Sequence, residues 1–177
     1  MKIIKTKFKD LIIIEQGNFV DYRGELRITF HQKNLNVNKF VFEYSVTSKK
    51  NVIRGLHFQY KFQQAKLVYV LKGKILDVVV DLRQDSVTFG QWVLTTLEAD
   101  MGDCLYVPDG FGHGFLSLED NSSVVYNLTS KYQPEMEFTI NLFDPTLKIN
   151  WPDCKPIISQ RDLEAPNFLA AFLSAEK

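Results

Sequence analysis

The chain has 177 residues, 45% apolar and 24% charged, the usage of a soluble globular protein long enough for one domain with a sizeable core. That balance excludes wholesale disorder and a membrane span. The 21 basic residues are matched by 21 acidic ones, so no net field argues for nucleic acid or an anionic membrane as partner, and an anionic ligand must be met by local charge.

In chain order the pattern is strand after strand. The opening MKIIKTKFKDLIII alternates charge with branched apolar residues and never sustains the apolar run of a signal peptide. Cys104 and Cys154 lie far apart, so free thiols in a reducing compartment, the cytoplasm, are expected. Leu11–Glu15, Leu26–Phe30 and Phe40–Val46 are short runs of branched and aromatic residues, with NFVDYRG read as a turn between the first two. Next comes NVIRGLHFQYKFQQAK, residues 51–66, which concentrates Arg54, His57 and Lys66 between two strand-like runs. Three such side chains in one hairpin point beyond core building. Successive side chains of a strand alternate faces, so Arg54 and His57 share a face only if Gly55 kinks or bulges the chain.

Leu67–Lys72 and Lys74–Arg83 flank Gly73 as a hairpin, and the near-continuous apolar run ILDVVVDL predicts a strand buried on both faces. Gln91–Glu98, Cys104–Val107, Gly114–Leu118 and Ser123–Thr129 continue at close spacing. About ten short strands separated by turn signals imply a sandwich or barrel. Only Asp162–Lys177 reads as helical, with Leu163, Phe168, Leu169, Phe172 and Leu173 as a partial apolar face. The turns at Asp144-Pro145 and Trp151-Pro152 mark a loop region and no domain boundary, so residues 1–177 are expected to form a single domain.

Taken one at a time, these residues have ordinary explanations. A lone strand histidine such as His57 or His113 is more often a hydrogen-bonded packing residue. Lys66 in isolation is a snorkelling strand-edge lysine, Tyr126 a core tyrosine bonded to backbone, and Asp162 a helix N-cap. Arg23 and Arg54 in isolation are surface ion-pair partners.

Longer motifs change that balance. GDCLYVPDGFGHGF places Gly102, Pro108, Gly110 and His113 at G-x5-P-x-G-x2-H, which resembles the second motif of cupins. The fold it implies is all-β, a cupin-type jelly roll (double-stranded β-helix) with a short C-terminal helical segment. Metal-binding cupins carry His-x-His in the first motif, where this chain reads His57-Phe58-Gln59, and the whole chain has only His31, His57 and His113. The usual metal site therefore lacks ligands, and neither metal nor cofactor is expected. The blocks RGLHFQ, QAKLV, DVVVDLR, TFGQW, PDGFGHGF, VVY and DPTLKINWP, in that order, resemble the nucleotide-sugar epimerase branch of the cupins, the dTDP-4-dehydrorhamnose 3,5-epimerase family.

That resemblance implies inversion of C3, C5 or both in a nucleotide-diphosphate 4-keto-6-deoxy sugar, for surface polysaccharide biosynthesis. The C–H bonds beside the C4 ketone are acidic because the resulting charge spreads onto oxygen. Inversion then needs a base on one face, a proton donor on the other and a cation at the oxygen. By the matched motifs His57 is the base, Asp162 from SQRD orients its ring, Lys66 holds the enolate oxygen and Tyr126 returns the proton. Arg54 and His113 are implied substrate contacts. Phe19 and Arg23, from FVDYRG, are implied to reach the nucleotide of a neighbouring subunit, which makes a strand-exchanged homodimer the expected assembly.

Departures from the family pattern define the alternatives. Phe42, Glu43 and Tyr44 stand where family members commonly carry Gln, an acid and Asn, and Ile28 stands where they carry Glu. Loss of the polar groups at positions 28, 42 and 44, near the nucleotide, raises a GDP-linked 4-keto hexose or heptose as the alternative substrate. A cupin sugar-nucleotide ketoisomerase and a non-catalytic sugar-nucleotide binder are the other classes.

Overall fold

The structure is a computed structural model, described here for residues 2–31, 39–60 and 64–175. Among these residues thirteen strands follow one another: β1 (Lys2–Lys5), β2 (Ile12–Glu15), β3 (Asn18–Asp21), β4 (Gly24–Arg27), β5 (Phe42–Ser48), β6 (Ile53–Gln59), β7 (Lys66–Lys72), β8 (Lys74–Asp81), β9 (Trp92–Glu98), β10 (Cys104–Val107), β11 (Phe111–Ser117), β12 (Ser122–Leu128) and β13 (Glu137–Thr139). Two short helices, α1 (Gln160–Leu163) and α2 (Phe168–Ala175), close the chain.

The strands form a six-stranded sheet in the order β1-β2-β10-β7-β12-β5, a five-stranded sheet in the order β13-β6-β11-β8-β9, and the separate hairpin β3-β4. The two large sheets are antiparallel throughout their pairings, and they face each other across a shared core as a jelly roll. Val68, Val70, Leu105, Val107 and Val124 from one sheet meet Ile75, Val79, Leu97, Phe111 and Phe115 from the other.

Strand β8 shows how the sequence produces these layers. Ile75 and Val79 enter the core between the sheets, whereas Val78 and Val80 pack on the outer face beneath Phe168 and Phe172 of α2. Both faces of the strand are covered, as its near-continuous apolar run predicts. Phe89 also lies against the rings of Phe168 and Phe172.

The sequence expectations differ from the structure in three places. NFVDYRG is largely strand: Asn18–Asp21 pairs with Gly24–Arg27, leaving only Tyr22 and Arg23 at the turn. Turn-forming residues cluster at its end, and Asp21 holds the turn by accepting from the Arg23 backbone N–H at 2.8 Å. The C-terminal helical stretch is two helices, because Pro166 lacks an N–H and disfavours helix at Ala165. Strands β1 and β13 carry no sequence signal of their own, being four and three residues long, and exist through pairing with β2 and β6.

Candidate active site

The apolar filling of the roll stops short of one end, where a cavity of about 420 Å³ opens between the sheets. His57, Lys66, His113, Tyr126 and Asp162 all line it, together with Arg54. Six of the eight residues singled out from the sequence therefore converge on one space, from β6, β7, β11, β12 and α1.

Strand parity explains most of this convergence. Lys66 continues the inward row of Val68 and Val70 on β7, Tyr126 lies between inward Val124 and Leu128 on β12, and His113 lies between inward Phe111 and Phe115 on β11. Strand β6 is the exception. Its outward residues Ile53 and Leu56 are three apart, so parity breaks between them. The break lies at Gly55, whose φ is +126° and whose peptide to Leu56 is cis. Opposite it, the β6–β11 register slips: His113 pairs with His57, but Phe115 pairs with Arg54. That bulge turns both Arg54 and His57 toward the cavity. Glycine is required, because a Cβ on Gly55 would stand 2.6 Å from the Gly114 Cα and 2.9 Å from the His113 carbonyl oxygen.

Two histidines of the cavity wall are paired with carboxylates. His57 Nε2 lies 2.8 Å from Asp162 Oδ1. Burial acts to raise the Asp162 carboxyl, but hydrogen bonds and charge from His57, with those from Ser159 and the Gly55 backbone, bring it net below its ordinary value. An ionised Asp162 accepts from His57 Nε2–H and leaves the opposite ring nitrogen with its lone pair. The N-cap of α1 is Ser159, whose hydroxyl accepts from the Asp162 backbone N–H at 3.2 Å. Asp162 is thus freed from capping and turned to the histidine. In the second pair, His113 Nε2 stands 2.8 Å from Asp77 Oδ2, with both side chains buried. Burial pushes the Asp77 carboxyl upward against the opposing pull of His113 and Lys66.

Lys66 is 7% exposed, and burial pushes its ammonium down to about 8 against the counter-pull of Glu137, Asp109 and Asp77. Burial also raises the Tyr126 phenol well above its ordinary value, with further upward pushes from Tyr44 and Asp77, so it is a protonated donor at neutral pH. The arrangement can take a proton from carbon at the β6 wall, stabilise an oxyanion at Lys66 and deliver a proton from the opposite sheet at Tyr126.

Phe19 and Arg23 are not brought to this cavity. They sit on the projecting β3-β4 hairpin, where Phe19 is 62% exposed and Arg23 pairs with Asp21 at 2.6 Å. Several lining residues carried no assigned role in the sequence: Tyr44 on β5, Tyr132, Glu137, and Arg161 beside Asp162. Arg161 pairs with Glu137 at 2.7 Å, and Tyr132 donates to the same carboxylate at 3.1 Å. The available signal for Asp77 was a lone carboxylate inside the apolar run ILDVVV; for Arg161 it was adjacency to Asp162 in SQRD. No group of three or more His, Cys, Asp or Glu side chains among the described residues has the geometry to hold a metal ion.

The family model described as dTDP-4-dehydrorhamnose 3,5-epimerase matches residues 5–170. The chain is 39% identical to the protein of that name from Neisseria gonorrhoeae over 99% of its own length, spanning about half of that relative (55%). It is 37% identical to the Shigella flexneri protein of the same name, covering 97% of this chain and 98% of that one. A crystal structure of dTDP-6-deoxy-D-glucose-3,5-epimerase from Legionella pneumophila, in complex with dTDP-4-keto-L-rhamnose, superposes with a TM-score of 0.89 at 38% identity, covering 94% of this chain and 92% of that one. Each of these names specifies a dTDP-linked sugar, and none a guanosine-linked one. By the match of the family model along nearly its whole length, the chain belongs to the dTDP-4-dehydrorhamnose 3,5-epimerase family.

Proposed function

We propose that the chain is a cofactor-independent isomerase that inverts C3, C5 or both in a dTDP-4-keto-6-deoxy sugar through an enolate. The observation that carries this reading is the placement of the His57–Asp162 pair on one sheet side of the cavity and of Tyr126 on the other, with the buried Lys66 lining the same space. His57 removes the proton, and Asp162 holds its ring and stabilises the imidazolium that forms. The compact ammonium of Lys66 meets the charge that develops on the C4 oxygen. Tyr126 delivers a proton to the opposite face of the carbon. His113, held by Asp77, lines the sugar site, and Arg54 supplies a permanent charge for the diphosphate.

The same reading makes the protein a single cytoplasmic domain that works as a homodimer, in which Phe19 and Arg23 of the exposed hairpin complete the nucleotide site of the neighbouring subunit. Their exposure supports this, since the hairpin leaves Phe19, Val20, Tyr22 and Leu26 uncovered.

Incubation with dTDP-4-keto-6-deoxyglucose in deuterated water, followed by NMR, tests the chemistry. Deuterium entering at C3 or C5 with inversion and the ketone kept at C4 is the expected result. Relocation of the ketone would make the protein a ketoisomerase, and binding without exchange would make it a non-catalytic binder.

A further inference from the structure

The cavity wall formed by β5 and β12 carries a pair of stacked rings, only one of which has a part in the proton transfers above. Tyr44 and Tyr126 are direct cross-strand partners, and their rings stack with centroids 4.9 Å apart and planes 14° from parallel. Tyr126 also meets the His113 ring edge to face, with centroids 5.7 Å apart at 77°. The phenol ring is thus in contact with one ring on β5 and one on β11. Tyr126 is 5% exposed and Tyr44 37%, and both line the cavity, so Tyr44 covers the donor on its more open side. The Phe42 ring extends the row, 5.8 Å from Tyr44.

A phenol fixed only through its Cβ swings its oxygen whenever the ring tilts, and a displacement of about 1 Å at a transferring atom lowers a rate by up to about 100-fold. A stacked aromatic partner favours one ring orientation by about two- to tenfold. We infer that Tyr44 is a positioning residue that acts through Tyr126: its ring fixes the plane of the donor and thereby sets how often an enolate is reprotonated on the inverted face. This rests on the epimerase reading. The feature that matters is the ring face of Tyr44 and not its hydroxyl.

The test follows two rates at one carbon in deuterated water, with dTDP-4-keto-6-deoxyglucose as probe and the full chain as wild type, Tyr44→Phe and Tyr44→Ala. Deuterium entry with retention reports return of the proton from the His57 side, and inversion reports delivery from Tyr126. In Tyr44→Ala the ratio of inversion to retained exchange is expected to fall about five- to tenfold, with total proton removal changed less than about twofold. Tyr44→Phe should keep the wild-type ratio. Should Tyr44→Ala lose its fold by circular dichroism, Tyr44→Leu, which keeps bulk without a ring face, carries the comparison. An unchanged ratio in the ring-less variant, a proportional loss of both processes, or a Tyr44→Phe ratio as low as that of Tyr44→Ala would each overturn the inference. A wild-type protein that incorporates no deuterium would instead overturn the epimerase reading itself.

Discussion

Burial of charge governs the site at the scale of single residues. The Lys66 ammonium, pushed down to about 8 by burial, is still mostly protonated at pH 7. A reaction that uses this cation should therefore lose kcat along an alkaline limb near pH 8, which a pH–rate profile at saturating substrate measures. The folded state binds fewer protons than the unfolded chain between pH 8 and the ordinary lysine value of 10.5. The penalty of the buried charge is consequently complete below pH 8 and relieved as pH rises across that window. Lys66→Met should raise stability at pH 7 by about 1 to 3 kcal/mol and lower turnover by about 100-fold or more; calorimetry beside an activity assay checks both. Asp162 has the opposite sign. Its carboxyl lies below the ordinary carboxylate value, so its contribution is present above that value and lost as pH falls through the folded one. Asp162→Asn should lower kcat/KM by about 100-fold or more, because His57 then loses the carboxylate that orients its ring. An unchanged kcat/KM would dissociate the pair.

Two elements carry more of the architecture than their length suggests. The Gly55 bulge in β6 lets Gly114 of β11 approach closely, since a Cβ on Gly114 would meet the Arg54 carbonyl oxygen at 2.7 Å and one on Gly55 would meet the Gly114 Cα at 2.6 Å. Gly55→Ala should destabilise the fold by about 2 to 4 kcal/mol, combining overpacking with a positive φ. It should also reduce turnover, because His57 and His113 are paired across this contact; urea denaturation and steady-state kinetics measure the two effects. At the end of β8, Asp81 is fully buried and accepts from the Arg83 guanidinium at 2.9 and 2.8 Å, from Ser86 at 2.7 Å and from Thr88 at 2.6 Å. Burial alone would raise this carboxyl, but its donors hold it down at about 2. Its stabilisation is thus present above the ordinary value near 4 and lost as pH falls toward 2. Asp81→Asn should cost about 3 kcal/mol, read as a lower denaturation midpoint, without changing the shape of the pH–rate profile.

Over the whole molecule, the hairpin β3-β4 stands apart from both large sheets and exposes Phe19, Val20, Tyr22 and Leu26, at 62, 75, 97 and 61%. The strand-exchanged homodimer proposed above would cover such residues and carry Phe19 and Arg23 to a second cavity. Val20→Glu with Leu26→Lys should give a monomer by sedimentation velocity, with KM raised because the nucleotide contacts are lost. A stable dimer in that double variant would place the interface elsewhere. The free thiols fit the same picture of a fold held by packing: Cys104 and Cys154 are unpaired by disulfide, and burial pushes the Cys104 thiol up to about 11, which makes it a poor nucleophile.

By itself the sequence determined the strand succession, the buried character of β8, the kink at Gly55 and six of the residues that meet at the cavity. Those properties follow from local periodicity, from the absence of a Cβ and from motifs short enough to read along the chain. Tertiary structure alone decided the burial of His113 against Asp77 and the stack of Tyr44 on Tyr126, and it brought together His57 and Asp162, 105 positions apart, which only the resemblance of the motifs had linked. It also separated Phe19 and Arg23 from the cavity of their own chain. Each of these depends on which strands become neighbours, and neighbour choice in an antiparallel roll is set by the fit of distant faces, which no local pattern encodes.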